Sequence, residues 1–224
     1  MTNDLICFIP ARSGSKSIPD KNIKLLGDKP LLAWSIETSL KAELRTITNS
    51  DSEEYLKIAK KYGSEVMLRP KELGGDAVSM YELLAAEVPK IEPIPEYIVL
   101  LQPTTPFRSV NKVKIALSYL LNNPEYDSLV IAERVPDKYA PELMIINTPT
   151  GLRMANGLPI PQRITARQNH KEAWIPSGTY IFKTANLEEG SMYGAKTMIL
   201  ETEADSPNIN NLRDWEEAEK ICKS

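Results

Sequence analysis

Short, unbroken apolar runs alternate along the first 134 residues with stretches whose apolar positions recur every three or four residues. The run from Leu5 to Ala11 predicts a buried parallel strand that feeds a polar loop beginning Arg12-Ser13-Gly14-Ser15. Leu31, Leu32, Trp34, Ile36 and Leu40 follow Pro30 at helical spacing, and proline in a first turn suits a helix start. Leu44 to Thr48 reads as a weak strand. Asp51 reads as the N-cap of a helix reaching about Lys61, with Glu53 and Glu54 at its positive end. Glu65 to Leu68, Tyr97 to Gln102 and Ser128 to Glu133 are further strands, separated by helices over Ser79 to Val88 and Asn111 to Leu121. This alternation predicts an α/β fold, a mostly parallel central sheet with helices on both faces, and function at the carboxyl ends of its strands.

The pattern changes after Val135. Prolines and turn residues crowd the chain as far as Trp174, and no helix of ordinary length is evident. Strands over Thr179 to Lys183 and Thr197 to Glu201 and a closing helix over Leu212 to Cys222 then return the chain to the main sheet. The expected organisation is therefore one α/β domain, residues 1–135 and 175–224, with residues 136–174 inserted as a small β-rich excursion. With so little core of its own, the excursion is expected to pack on a second subunit as a dimerisation arm.

Composition narrows the chemistry. At 224 residues the chain allows one domain with an elaboration. Its 42% hydrophobic and 25% charged residues exclude disordered, collagenous and disulfide-scaffold classes. Cys7 and Cys222 form no C-x-x-C, which removes a cysteine zinc site and a redox pair and favours a reducing, cytoplasmic setting. His170, the only histidine, lies in a polar stretch and reads as an exposed residue rather than a base. With 27 Lys+Arg against 30 Asp+Glu there is no bulk positive charge for nucleic acid. No charged-then-apolar leader and no run of about 18 apolar residues occur, so neither export nor a membrane partner is expected. Chemistry falls to Lys, Arg, carboxylates, hydroxyls and backbone amides.

The strongest local signal runs from Arg12 through Ser13, Gly14, Ser15, Lys16 and Lys21 to Asn22. Three cations and several small, amide-exposing residues after a buried strand supply what a polyphosphate needs, fixed positive charge and N–H donors. An ordinary solvated loop is the plain alternative. A Walker A loop is excluded, because Gly14-Ser15-Lys16-Ser17 lacks glycine before the lysine.

Together with Leu100-Leu101-Gln102-Pro103-Thr104-Thr105-Pro106-Phe107-Arg108, this segment resembles the acylneuraminate cytidylyltransferases, or CMP-sialic acid synthetases. Asn49-Ser50-Asp51-Ser52-Glu53, the Leu68-Arg69-Pro70-Lys71-Glu72-Leu73 run and Pro176-Ser177-Gly178-Thr179-Tyr180-Ile181 extend the likeness along nearly the whole chain. The resemblance implies a Rossmann-like nucleotidyltransferase fold and a homodimer whose arms close each other's sites. It also implies transfer of CMP from CTP to the anomeric hydroxyl of a nonulosonic, sialic-type acid, with pyrophosphate released and magnesium (Mg2+) required. Carried over by position, Arg12, Ser13, Gly14, Ser15, Lys16, Lys21 and Asn22 match the triphosphate segment, with Arg12 and Lys21 in the catalytic role. Asp76 to Ser79 fall where cytosine and ribose are held, and Gln102 faces the sugar acid. Arg163 and Arg167, on the excursion, are candidates for the sugar carboxylate, with exposed surface arginines as the alternative.

Five positions depart from the family pattern. Asn208 and Asn210 stand where the family carries its metal-binding aspartates, Ile175 replaces an arginine, Ser177 an asparagine, and Ser17 the glycine after Lys16. Neutral amides hold magnesium more weakly than carboxylates do, unless Asp205 or Asp214 takes their place. Two further readings therefore stay open: a nucleotidyltransferase for another sugar or nucleotide, and a catalytically silent nucleotide-binding homologue.

Overall fold

The computed structural model describes residues 4–162, 166, 171–203 and 207–223. Strands β1 (Leu5–Pro10), β2 (Leu25–Leu26) and β3 (Lys29–Pro30) precede helix α1 (Leu31–Lys41). There follow β4 (Arg45–Ser50), α2 (Glu53–Lys61), β5 (Glu65–Leu68), α3 (Met80–Glu87), β6 (Tyr97–Leu101), α4 (Val110–Leu121) and β7 (Ser128–Arg134). The rest comprises β8 (Ile145–Thr148), β9 (Gly151–Met154), β10 (Trp174–Lys183), β11 (Thr197–Thr202) and α5 (Leu212–Lys223).

Seven strands form one sheet in the order β11-β7-β10-β6-β1-β4-β5. All its pairings are parallel except those of β10, which runs antiparallel to both β6 and β7. The continuous apolar run in β1 is explained by its central place, since successive side chains enter opposite layers. Cys7 and Ile9 pack with Leu32 and Ile36 of α1 and with Val113, Ala116 and Leu120 of α4. Ile6 and Phe8 pack on the other side with Leu83 and Leu84 of α3.

A third cluster fixes the site. Ile18, in the middle of the polar loop after β1, is fully buried with Leu26, Leu31, Ile209, Trp215 and Ala218. One apolar residue thus ties the loop to the segment before α5, while its cationic neighbours are left near the surface.

Several details differ from the pattern-based expectation. Ser52, not Asp51, caps α2, accepting from the Tyr55 N–H. β10 begins at Trp174, five residues before the expected strand, because residues 174–176 pair with the far end of β7 before the register shifts between Pro176 and Thr179. The β2–β3 ladder was not anticipated; with two residues per strand it carries no readable period. Within residues 136–174 the described part holds a separate two-stranded sheet, β8 against β9, and no α-helix. Among the described residues no helix is long and apolar enough to cross a membrane.

Candidate active site

Loops leaving β1, β4, β5 and β6 meet at the carboxyl ends of those strands, and those after β1, β5 and β6 enclose, with residues 208–210, a cleft of about 380 Å³. In an α/β sheet this end, where connections diverge, is where ligands sit. Arg12, Ser15, Lys21 and Asn22 come from the first loop, Arg69, Asp76 and Ser79 from the third, and Gln102, Asn208 and Asn210 complete the wall. The cleft is cationic: among the described lining residues Arg12, Lys21 and Arg69 face a single carboxylate, Asp76.

The first loop is held from several sides. Asn22 donates its amide to the Arg12 carbonyl at 2.9 Å. The Ser13 N–H and hydroxyl both donate to the Asp51 carboxylate, at 2.8 and 2.7 Å. Gly14 has φ +68°, a left-handed conformation that glycine adopts without strain. Ser13, Gly14 and Lys16 shape the loop without lining the cleft. Lys16 is exposed and reaches Asp76 at 2.5 Å, and Arg12 pairs with the same carboxylate at 2.5 Å. Asp76 thus stands in the cleft wall against two cations of the first loop.

Lys21 is positioned by the third cluster. Its ammonium donates to the Ile209 carbonyl at 2.7 Å, and the Ile209 N–H donates to the Thr104 carbonyl at 2.8 Å. Burial lowers the Lys21 pKa and Arg12 lowers it further, with Asp214 opposing. Asn208 and Asn210 flank Ile209 and are set at the cleft by the same anchoring.

Ser79 has a local role as well as its place in the wall. Its hydroxyl accepts from the Glu82 N–H at 3.1 Å and its own N–H donates to the Glu82 carboxylate at 2.7 Å, a capping box that starts α3. Gln102 and Asn208 are both at the wall; Asn208 also lines an adjoining cavity of about 220 Å³ with Thr105, Glu133, Ile175, Pro176, Ser177 and Pro207. Arg163, Arg167, His170 and Asp205 lie outside the described residues.

Two residues join the site that reading of the sequence did not select. Arg69 is 4% exposed and lines the cleft, and its Nε has no hydrogen-bond partner. A buried donor left unpaired is costly and marks a place where a ligand acceptor can sit. Asp51 lies 3.8 Å from Arg69 while it holds Ser13. The signal for Arg69 is a cation directly after strand β5 and before Pro70, at the functional end of the sheet.

Magnesium was expected at Asn208 and Asn210. Both line the cleft, but they offer only neutral amide oxygens, and the Asp214 carboxylate is engaged by the N–H groups of Asn210 and Asn211 at 2.7 and 3.1 Å. Among the described residues no three His, Cys, Asp or Glu side chains are grouped to hold an ion. A hard cation prefers carboxylates, so the described residues do not fit a magnesium ion held by the protein alone.

A parallel-rich α/β sheet with a cationic cleft at its strand ends defines a Rossmann-like nucleotidyltransferase fold. The chain belongs to the cytidylyltransferase family, whose profile matches residues 6–172. It is 40% identical over 136 residues to the N-acylneuraminate cytidylyltransferase of Escherichia coli, a match covering 60% of this chain and 32% of that longer protein. It is 27% identical to post-translational flagellin modification protein B of Campylobacter coli, over 99% of this chain and 96% of that one. Among solved structures, a CMP:2-keto-3-deoxy-manno-octonic acid synthetase complexed with CTP superposes with a TM-score of 0.76 at 16% identity, covering 99% of both chains. The likeness to that structure is one of fold.

Proposed function

We propose that this protein is a cytidylyltransferase that transfers CMP from CTP to the anomeric hydroxyl of a nonulosonic, sialic-type acid. The observation that carries the reading is the cleft itself, in which Arg12 and Lys21 from the loop after β1 converge with Arg69 from the loop after β5. The hydroxyl oxygen forms a bond to the α-phosphorus, the bond from that phosphorus to the bridging oxygen of the β-phosphate breaks, and pyrophosphate leaves with the electron pair. The hydroxyl proton passes to solvent. Such a displacement needs alignment and neutralisation of developing charge rather than a covalent intermediate.

Arg12 and Lys21 supply that neutralisation at the pyrophosphate end, where pre-placed cations act without reorganising. Asp76 gives up its contacts with Arg12 and Lys16 to the incoming triphosphate. The Arg69 Nε donates to an acceptor on the base. Asn208 lines both the cleft and the adjoining cavity, which takes the sugar acid with Gln102 in the cleft wall; Ile175 and Pro176 give that cavity an apolar wall. Any magnesium the reaction uses would be held chiefly by triphosphate oxygens, since Asn208 and Asn210 offer only neutral amide oxygens. The excursion of residues 136–174 is a dimerisation arm that brings Arg163 and Arg167 to the sugar carboxylate of the neighbouring protomer, and the protein works in the cytoplasm.

Pyrophosphate release from CTP, with and without a sialic-type acid, tests the reaction. Lys21→Ala is expected to lower kcat by about 100-fold, the scale for removing one pre-placed donor. Lys21 acts as a cation and its pKa is lowered, so turnover is expected to decline with rising pH before an ordinary lysine would titrate, and Lys21→Ala removes that decline. CTP bound without any product favours the silent homologue; a preference for UTP or GTP rejects cytidylyl transfer.

A further inference from the structure

We propose that Asp51 is a positioning residue that joins the two ends of the nucleotide site, so that grip on the triphosphate and choice of the base are coupled through one carboxylate. This rests on the nucleotide reading of the cleft. Asp51 lies just beyond β4, between the loop after β1 and the loop after β5. One of its oxygens accepts the Ser13 N–H at 2.8 Å and lies 3.8 Å from the Arg69 guanidinium, and the other accepts the Ser13 hydroxyl at 2.7 Å.

The third loop also closes on this carboxylate. A Cβ at Gly74 would lie 2.7 Å from Asp51 Oδ2, too close for any other residue without a shift. Arg12, directly before Ser13, extends its guanidinium to the Gly74 carbonyl at 3.5 Å and to Asp76 at 2.5 Å. The phosphate loop and the arm carrying Arg69 thus meet twice, once through Asp51 and once through Arg12. Among the described residues Asp51 is the carboxylate that pairs with the Arg69 guanidinium, at 3.8 Å, and the unpaired Nε gains directional value only if the guanidinium is held still. A displacement of Ser13 is transmitted to Asp51 and from there to the Arg69 donor in the cleft wall.

The test is calorimetric binding of CTP, UTP and inorganic tripolyphosphate to the unaltered chain, to Asp51→Asn and to Ser13→Ala. Asp51→Asn is expected to weaken CTP about 10-fold and to narrow the CTP-over-UTP preference by about 5-fold. Ser13→Ala, which sits at the phosphate end and keeps the backbone contact, is expected to narrow that preference in the same direction. A local phosphate contact or a general loss of stability would weaken the three ligands equally. If either variant weakens all three by one factor and leaves the base preference intact, the coupling is overturned while the nucleotide reading stands. If the unaltered chain binds none of the three, or shows no preference for CTP, both fall. Ser13→Ala keeps the question answerable should Asp51→Asn fail to fold.

Discussion

On position alone Asp51 is a helix cap, but in the fold Ser52 takes the cap and frees the aspartate to hold the phosphate loop. Burial pushes the Asp51 carboxyl up, yet the N–H and hydroxyl of Ser13, with Arg69 nearby, outweigh it and hold the pKa below the ordinary value. A carboxyl with a lowered pKa contributes stability that is present above its unfolded pKa and is lost as pH falls through the folded one. Asp51→Asn is therefore expected to cost about 1–3 kcal/mol at pH 7, the range for bonds to a charged acceptor. Urea unfolding should show that difference shrinking as pH drops below the carboxylate range; a constant difference would refute it. Arg12, Lys21 and Asn22 were legible as a site because cations and small residues follow an apolar strand. Arg69 was not, because a single buried arginine with an unpaired Nε looks in sequence like any other charged residue beside a proline.

Among the elements, β10 carries most of what pattern reading could not supply. Its apolar core, Thr179 to Lys183, stands out, whereas Trp174 to Gly178 looks like loop because Pro176 and Gly178 interrupt it. The irregularity between Pro176 and Thr179 turns the Gly178 carbonyl to the Arg108 guanidinium, at 3.0 Å, and to the Gln102 N–H, also at 3.0 Å. Arg108 binds Ser35 and Thr179 as well, each at 2.9 Å, and so clamps β10 and the end of β6 to α1. Gly178 has φ +71°, and a Cβ there would lie 2.8 Å from the Thr105 hydroxyl. Gly178→Ala is accordingly expected to destabilise by about 1–3 kcal/mol, from left-handed strain together with the close contact. Thermal unfolding should show this as a fall of several degrees in Tm; an unchanged Tm would mean that the bulge relaxes freely. β1, β6 and their helices were readable because unbroken apolar runs alternate with helical periods, and that alternation also gave the mostly parallel sheet; the antiparallel direction of β10 was not readable, because an apolar run by itself carries no direction.

At the scale of the molecule, the expected arm has the right character for a second copy. Tyr139, Ile145 and Leu152, in or beside its small sheet, are 52%, 54% and 58% exposed, more apolar surface than a segment with little core would leave to water. We expect a dimer at tens of micromolar protein, and a monomer after Ile145→Glu with Leu152→Glu, as read by light scattering on a sizing column. A monomeric unaltered chain would remove the arm's proposed role. The sequence by itself determined the α/β alternation, the sheet's buried strands and the place of the cationic loop after β1, because these depend on local periodicity and on residue types that sit together in the chain. Only the tertiary structure decided the antiparallel entry of β10, the union of Ile18 with Ile209 that fixes Lys21, and the meeting of Ser13, Asp51 and Arg69. Those features pair residues from 18 to 191 positions apart, and such pairings are set by packing and desolvation across the whole chain rather than by any local preference.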